Sequence, residues 1–283
     1  MPNHLIPYTL QTNNYLCCMK KRLTSLVITT VFYCWSYATC FAWGLTGHRV
    51  VAEIANNHLT KRAKKNIQRI LGNESLAMAA NWPDFIKSDP AYQYLNSWHY
   101  INFKSGLTLD EVRQQLQQDT ATNAYNKLLW LKEQLLQPNT LSHDKQVLYL
   151  RLLIHLVGDM HQPMHTGRPQ DLGGNRLKLY WFNQPTNLHR LWDEQLIDFQ
   201  QLSYTEYTQA IDFVTRKQLQ LWQKEPIANW LCESYEITES LYLGVKPNAR
   251  LSYRYNFDHI AILNLQLLKG GIRLAGVLNE VFG

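Results

Sequence analysis

Apolar residues recur at helical spacing along most of the chain. Between residues 144 and 160 most positions are apolar, as expected for a central buried helix. Elsewhere apolar positions recur with a period near 3.6 residues, which is typical of helices with one buried face. The predicted helices are Val50–Asn57, Thr60–Leu71, Thr108–Leu116, Thr122–Leu136, Asp144–Met160, Leu191–Gln201, Tyr204–Gln223, Ile227–Leu243 and Tyr255–Phe282.

One short segment departs from this pattern. Leu177–Phe182 precedes the turn-forming stretch 183–186, and we predict that it is one arm of a small β-hairpin. No Ser/Gly-rich linker, repeat or low-complexity segment interrupts the helical part of the sequence. The sequence therefore predicts an all-α fold, with a single helix-rich domain and a small β-hairpin.

The first 42 residues differ from the rest of the chain. The basic residues 20–22 precede an apolar run, Leu23–Trp35. Small residues follow at Cys40 and Ala42, which are the −3 and −1 positions of a cleavage site after Ala42. A positive region, an apolar region and a small-x-small site together are typical of a secretory signal peptide.

We therefore predict that residues 1–42 are a signal peptide, with Met19 as an alternative start, and that residues 43–283 are the mature domain. We expect this domain in the periplasm or outside the cell. The alternative is a membrane anchor that is never removed, but the apolar run is shorter than the roughly 20 residues that a spanning helix needs. We expect a monomer without stable membrane association after cleavage.

Composition sets limits on the mature domain. Hydrophobic residues make up 46% of the chain and charged residues 18%, which is typical of globular proteins and argues against disorder. Loss of the three basic residues in segment 1–42 lowers the formal net charge from +6 to +3, which is too weak to indicate a nucleic-acid partner by itself. Four of the five cysteines lie in that segment, so the mature domain keeps Cys232 alone and cannot form an internal disulfide.

Histidine and aspartate are spaced as metal ligands in two places. His155 and Asp159 are four residues apart on a predicted helix, so their side chains share one face. We expect Pro163 to end that helix, which lets His165 fold back towards the same face. A second pair with the same spacing, His189 and Asp193, follows within 40 residues.

Each of these features has a simpler alternative explanation. A lone His-x-x-x-Asp pair is more often a surface hydrogen bond or a buried structural histidine than a metal site. His99, which lies between aromatic residues, would by default be a buried structural residue, and His48 a surface group. Two pairs with a third histidine between them favour zinc, which binds imidazole nitrogen and carboxylate oxygen.

The set of motifs resembles one family across the mature chain. The segments that carry the resemblance are Trp43–His48, Trp82–Asp84, Trp98–Tyr100, His155–His165, Gly173–Asn175, Asn187–Asp193 and Leu267–Asn279. Together they resemble the secreted zinc-dependent nucleases that cut single strands and also act as 3′-nucleotidases. These nucleases share a helical fold with zinc phospholipases C.

The resemblance implies three zinc ions held by nine positions. It assigns Asp84, His99, His155 and Asp159 to one ion. It assigns the α-amino nitrogen and carbonyl oxygen of Trp43 to a second, together with His48 and a bridging Asp159. It assigns His165, His189 and Asp193 to the third. The implied activity is hydrolysis of single-stranded DNA and RNA to 5′-nucleotides and removal of 3′-phosphates.

The resemblance also implies roles in substrate binding. Asp84 would orient the attacking water as well as bind metal, and Lys87 would neutralise a phosphate oxygen, although a solvated lysine is an equal alternative. Tyr100 would stack on a base and Asn102 would hydrogen-bond to it. Leu172 and Asn175 would complete the rim of the pocket, although the adjacent Gly173 and Gly174 are also explained by a simple turn.

Two other functions fit parts of the sequence. A zinc phospholipase C would have the same metal cluster, but that family tends to have Glu where this chain has Asp193. A non-catalytic zinc-binding or host-interaction protein would fit a broken set of ligands, and no position of the set is broken here. We therefore expect a zinc-dependent hydrolase whose substrate is single-stranded nucleic acid or nucleotides.

Overall fold

Helices make up most of the described part of the chain. The computed structural model describes residues 43–283, so the predicted signal peptide lies outside the described residues. The α-helices are α1 (Leu45–Asn57), α2 (Lys61–Leu71), α3 (Leu76–Ala79), α4 (Trp82–Phe85), α5 (Leu109–Gln118), α6 (Ala124–Leu135), α7 (His143–Asp159), α8 (Leu188–Arg190), α9 (Leu196–Asp198), α10 (Tyr204–Ile211), α11 (Arg216–Gln223), α12 (Ile227–Gly244) and α13 (Tyr253–Phe282). Within this range the strands form one small sheet, which confirms the predicted all-α class.

Short 3-10 helices and one π-helical turn connect these elements. The 3-10 helices are Ile86–Ser88, Pro90–Trp98, Pro138–Thr140, Pro163–Thr166 and Pro169–Asp171, and the π-helical turn is Leu191–Gln195. Four of the 3-10 helices begin at proline, whose fixed φ and missing N–H suit a first helical turn. As predicted, α7 ends before Pro163 and the chain turns back at that point.

Local hydrogen bonds explain where several helices begin and end. The side chains of Thr60 and Ser142 accept backbone N–H groups at the starts of α2 and α7. Thr108 and Glu111 form a reciprocal capping box at the start of α5. Gly72 ends α2 with a φ of 63°, a left-handed value that favours glycine.

The prediction of one continuous helix over Tyr204–Gln223 is wrong. The structure has two helices there, α10 and α11, with residues 212–215 between them. The Asp212 carboxylate accepts hydrogen bonds from the Asn57 side chain and pairs with His58, which ties the break to the end of α1. Thr215 then starts α11 through a capping box with Gln218.

The small sheet contains the predicted hairpin and one further strand. β1 (Lys178–Trp181) pairs antiparallel with β2 (Gln184–Asn187), and Trp181 lies opposite Gln184. The two turn residues, Phe182 and Asn183, have φ values of 47° and 65°, as expected for a tight two-residue hairpin. A strand that the sequence did not predict, β3 (Arg250–Leu251), pairs parallel with β1.

α13 crosses the centre of the domain against α1. A Cβ atom at Gly271 would overlap the side chain of Ile54, and one at Gly270 would lie 3.3 Å from Val51 Cγ2. Glycine therefore allows the two helices to approach closely. By length and mean hydropathy α13 is suited to cross a membrane, but 61% of its most apolar window is buried within the protein, as expected for a core helix.

Candidate metal centre

α7 supplies the central pair of side chains. His155 and Asp159 are both fully buried and lie on the same face of the helix. The Ala80 carbonyl accepts a hydrogen bond from His155 Nδ1 at 2.7 Å, which directs Nε2 towards the rest of the site. His155 Nε2 lies 3.2 Å from Asp159 Oδ2. The helix and the Ala80 carbonyl therefore fix the position of this pair.

The first group of potential ligands surrounds His155. Ligand atoms of Asp84, His99 and His155 lie within 4.8 Å of one another, and all three residues are buried. His99 Nδ1 lies 2.9 Å from His155 Nε2 and 2.9 Å from Asp159 Oδ2. Lys87 Nζ lies 2.5 Å from Asp84 Oδ1, so the predicted phosphate-binding lysine is an ion-pair partner of this group.

The second group joins α1 to α7. His48, His155 and Asp159 also have ligand atoms within 4.8 Å of one another. His48 Nε2 lies 3.4 Å from Asp159 Oδ1, and the rings of His48 and His155 stack at 3.9 Å. His48 is only 1% exposed, so the alternative of a surface histidine is excluded.

The third group lies where the chain turns back after α7. His165, His189 and Asp193 have ligand atoms within 4.8 Å of one another and are buried. His189 Nε2 lies 3.0 Å from Asp193 Oδ2. His165 Nδ1 lies 3.4 Å from Asp159 Oδ1, which makes this group continuous with the other two. Asp193 lies in the π-helical turn, a feature that is frequent at functional sites.

Trp43 lies among these groups. Its side chain is fully buried, and its Nε1 donates a hydrogen bond to the Gly158 carbonyl at 2.6 Å. The backbone N–H of the next residue, Gly44, donates to the Asp193 carbonyl at 2.6 Å. Residues 43 and 44 are therefore held next to two of the candidate ligands, Asp159 and Asp193.

The site contains buried polar atoms whose hydrogen-bonding capacity is unused. Within residues 43–283, atoms without a hydrogen-bond partner include both ring nitrogens of His48, His99 Nε2, His165 Nδ1, Asp84 Oδ2 and Asp159 Oδ1. A buried polar group without a partner is costly, and several in one place are unusual. Imidazole nitrogen and carboxylate oxygen are zinc ligands, so the residues present fit metal ions of this type.

Comparison with known proteins identifies the family. The sequence profile described as S1/P1 Nuclease matches residues 43–283. The chain belongs to the S1/P1 nuclease family. It is 29% identical to Endonuclease 3 of Arabidopsis thaliana over 265 residues, which cover 85% of this chain and 89% of that protein. It is 27% identical to Nuclease P1 of Penicillium citrinum over 274 residues, which cover 85% of this chain and 98% of that protein.

Membership of the family settles the class of reaction. This S1/P1 nuclease is a hydrolase that acts on phosphodiester bonds of nucleic acids. The predicted enzyme class is thereby confirmed. The relatives are named as nucleases and endonucleases, which does not favour the phospholipase C alternative. Within residues 43–283, the three buried groups of His and Asp could hold metal ions.

Burial keeps most histidines of the nuclease site neutral. Burial, with further effects of neighbouring histidines and Lys87, lowers the pKa of His48, His99 and His165 well below the usual value. His155 differs: burial opposes its protonation, but the nearby carboxylates of Asp159 and Asp84 outweigh burial and raise its pKa. Neutral imidazoles keep a nitrogen lone pair for a metal ion.

Burial has the opposite effect on the carboxylates. It raises the pKa of Asp159 to about 7, although His155 acts against this shift. It also raises the pKa of Asp193, against the effect of His189. A buried carboxylate with a raised pKa is one whose negative charge lacks sufficient compensation. Metal cations at this position would supply that compensation.

Tyr100 and Asn102 lie beside the third group. The backbone N–H of Ile101 donates to the His165 carbonyl at 2.9 Å, which holds this segment against the turn that follows α7. Tyr100 is 44% exposed, so its ring has surface available for a base. Asn102 Oδ1 would lie 3.6 Å from a Cβ atom at Gly173, which places the amide near the glycine turn.

Leu172 and Asn175 belong to that same turn. Leu172 is 51% exposed and has a φ of 56°, and its carbonyl accepts a hydrogen bond from Asn175 Nδ2 at 2.9 Å. The Gly173 carbonyl accepts a hydrogen bond from His189 Nδ1 at 2.7 Å, which directs His189 Nε2 towards Asp193. The turn thus orients a candidate ligand and places Leu172 on the surface near it.

Gln162 is a residue of the site that the sequence did not predict. This residue is fully buried, and its Nε2 donates a hydrogen bond to Asp193 Oδ1 while its Oε1 accepts one from the Met164 backbone N–H. It therefore holds the Asp193 carboxylate in place. A glutamine next to a histidine gives no helical or charge signal, so the spacing of residues could not predict this role.

His161 has a structural environment away from the three groups. Its Nδ1 donates to the Val157 carbonyl at 2.7 Å, so Nε2 accepts from Arg273 Nη1 at 2.9 Å. Arg273 is fully buried and also pairs with Glu225 and Glu233. His161 thus joins α13 to the end of α7, and it orients the backbone rather than a ligand side chain.

Gly158 leaves the space that His48 occupies. A Cβ atom at Gly158 would lie 2.7 Å from His48 Nδ1 and 3.0 Å from its Cε1. We expect Gly158→Ala to displace His48, to lower the zinc content, and to reduce kcat/KM on single-stranded DNA by up to about tenfold. Metal analysis and a nuclease assay measure both effects.

Gly244→Ala is the matched control, because a Cβ atom at this helical glycine meets nothing within 4 Å. Alanine is intrinsically preferred over glycine inside helices by about 1 kcal/mol. If the space at position 158 were unimportant, Gly158→Ala would therefore raise the thermal stability and leave the activity unchanged. Such a result would contradict the proposed close contact with His48.

Proposed function

We propose that this S1/P1 nuclease is an exported enzyme with three zinc ions that hydrolyses single-stranded DNA and RNA to 5′-nucleotides and removes 3′-phosphates from nucleotides. The observation that carries the proposal is the meeting of three buried His/Asp groups around Asp159, with unpaired ligand atoms in each of the first two. These residues come from five separate segments of the chain, so their meeting is not a consequence of local sequence.

The proposed ligands follow this arrangement. We assign Asp84, His99, His155 and Asp159 to the first zinc ion. We place His155 in the same set as His99 because its Nε2 lies 2.9 Å from His99 Nδ1. We assign His48, Asp159 and the amino nitrogen and carbonyl oxygen of Trp43 to the second. His165, His189 and Asp193 would bind the third. Asp159 would bridge the first two ions, and its contacts with His48 Nε2 and His99 Nδ1 support this role.

Side chains of the protein would position the attacking water and the phosphate. Bound zinc ions supply Lewis acidity that activates water and stabilises charge on phosphate oxygens. Asp84 would accept a hydrogen bond from the attacking water and orient it. Lys87, which lies 2.5 Å from Asp84 Oδ1, would bring its positive charge to the phosphate next to that water. Gln162 would keep the Asp193 carboxylate oriented during the reaction.

The preference for single strands would come from the exposed ring of Tyr100. An unpaired base offers its face to an aromatic ring, whereas the bases of a duplex are already stacked on their neighbours. Asn102 would contact the edge of the base, and its amide both donates and accepts hydrogen bonds. Leu172 and Asn175 would border the same pocket, because the glycine turn holds them there.

Export would create the second zinc site. The family profile begins at residue 43, directly after the predicted cleavage site. Cleavage there would free the amine of Trp43, whose own side chain and whose neighbour Gly44 are already held at the site. We therefore propose a mature domain of residues 43–283 that acts in the periplasm or outside the cell.

The test is a substrate panel on purified protein that begins at Trp43. The panel contains single-stranded DNA, single-stranded RNA, duplex DNA, a 3′-nucleotide and phosphatidylcholine, and bound zinc is measured in the same preparation. We expect three zinc ions, 5′-phosphate ends from both single strands, and slow cleavage of the duplex. Failure of the zinc-loaded protein to cut any nucleic acid would overturn the proposal, and release of phosphocholine would favour the phospholipase alternative.

A further inference from the structure

Six aromatic side chains form a continuous patch on one side of the domain. They come from α4, α6, α7 and the 3-10 helix Pro90–Trp98. Successive ring centroids lie between 5.0 and 6.4 Å apart along the series. The members of this aromatic patch, in order of contact, are Trp82, Tyr92, Tyr94, Trp98, Trp130 and Tyr149.

The patch presents ring surface to the solvent. Tyr94 is 53% exposed, whereas Trp98 is only 7% exposed and forms the buried centre of the patch. The other four rings are half-buried. Partial burial, with Tyr92 and Tyr149 nearby, raises the pKa of Tyr94, so these three phenols lie on the same side. The patch therefore has a buried Trp98 at its centre, an exposed Tyr94 and partly accessible rings around them.

Several members of the aromatic patch lie on the segments that carry the candidate metal ligands. Trp98 directly precedes His99, and Trp82 is two residues before Asp84. Arg151 lies over the Trp82 ring at 5.1 Å, one turn before His155 on the same face of α7. The aromatic patch and the metal centre are therefore built on the same segments of the chain.

The charge around the patch suits a polyanion. Lys127 Nζ lies 4.6 Å from the Trp98 ring centroid and 5.3 Å from that of Trp130. Among the ion pairs of residues 43–283, none involves Lys127, so this ammonium has no carboxylate partner there. Arg151, by contrast, is paired with Glu74. An apolar protein partner would leave the Lys127 charge uncompensated, whereas a nucleic-acid phosphate would neutralise it.

We propose that the aromatic patch is a second binding site for the substrate strand, where unpaired bases stack on the exposed rings and Lys127 contacts a phosphate. This inference rests on the proposed single-strand nuclease activity and adds a site beyond the pocket at Tyr100. Stacked bases and one backbone contact would hold long single strands more tightly than mononucleotides, which are too short to reach the patch. The patch would act on substrate affinity and leave the chemical step unchanged.

Tyr94→Ala tests the stacking surface. We expect the KM for a single-stranded oligonucleotide of about 20 residues to rise about tenfold, because removal of one stacking ring has an effect of this size. The kcat for that substrate, and both constants for a 3′-nucleotide, should stay at the wild-type values. Tyr94→Phe keeps the ring and should behave as the wild type. Phe213→Ala is the matched control, because Phe213 is 76% exposed but lies outside the patch.

Lys127→Gln tests the phosphate contact. We expect a weaker salt dependence of oligonucleotide binding, with the slope of log K against log salt reduced by about 0.7 for one lost contact to a single strand. Fluorescence anisotropy with a labelled oligonucleotide that resists cleavage measures this slope. An unchanged slope would overturn the role of Lys127.

The outcomes separate the two proposals. Wild-type KM values for the oligonucleotide in Tyr94→Ala would overturn the second binding site, even if the enzyme is an active nuclease. An equal rise of KM for the 3′-nucleotide would also overturn it, because the effect would then arise at the metal centre. If the wild-type protein cut neither substrate, the proposed function would fail, and oligonucleotide binding by Tyr94→Ala would still decide the role of the patch.

Discussion

Replacement of His155 by alanine is expected to reduce kcat/KM on single-stranded DNA by more than about 100-fold. His155 belongs to two of the three groups, and its Nε2 lies 2.9 Å from His99 Nδ1 and 3.2 Å from Asp159 Oδ2. Loss of a residue that only orients a metal ligand reduces activity about 10–100-fold, so loss of a ligand shared by the centre of the site should exceed that range. Bound zinc, measured by elemental analysis, should fall in the same variant.

His143→Ala is the matched control for this variant. His143 is the first residue of the same helix and is exposed. We expect this control to keep the zinc content and activity of the wild type. Circular dichroism should show that both variants keep their helical content. If His155→Ala bound as much zinc and cut DNA as fast as His143→Ala, the assignment of the metal centre to these groups would be wrong.

A protein with a single residue before Trp43 is expected to lose one zinc ion and about 99% of its activity, a loss in the upper part of the range for disturbed metal sites. A peptide bond delocalises the nitrogen lone pair into the carbonyl group, so the amide nitrogen cannot act as an ordinary ligand. The free amine, whose pKa is about 7.7–8.0, becomes a ligand when it loses its proton.

The control is the same extended protein after a specific protease has removed the additional residue. Zinc content and nuclease activity should then return to the values of protein produced with Trp43 as its first residue. This comparison holds the rest of the sequence constant, so a difference in folding yield cannot account for it. Full activity and full zinc content before protease treatment would show that the amino group is not a ligand.

Much of the helical framework could be predicted because its signals are local. The apolar run and the start of α7 were predicted to within one residue, Asp144–Met160 against His143–Asp159. Thr108 and Ser142 provide capping side chains that mark helix starts directly in the sequence. The break at residues 212–215 combines two features: the contact of Asp212 with His58, 154 residues away, has no local signal, whereas the capping box of Thr215 and Gln218 is a local signal that the periodicity alone does not use.

The candidate metal centre also combines features that have local sequence signals with features that depend on tertiary packing. The spacing of His155 and Asp159, and of His189 and Asp193, is local and indicated two pairs of ligands. The meeting of His48 with these pairs depends on the packing of α1 against α7, and the sequence indicated it through family resemblance alone. The part played by Gly158, which leaves room for the His48 ring, is a property of that packing and has no signal in the spacing of residues.

The contact between α1 and α13 has a consequence for the order of folding. These are the first and last helices of the described chain, and Gly271 of α13 lies directly against Ile54 of α1. Contacts between residues so distant in sequence form late, because a long loop must close first. We therefore expect α1, and His48 with it, to take its final position late in folding.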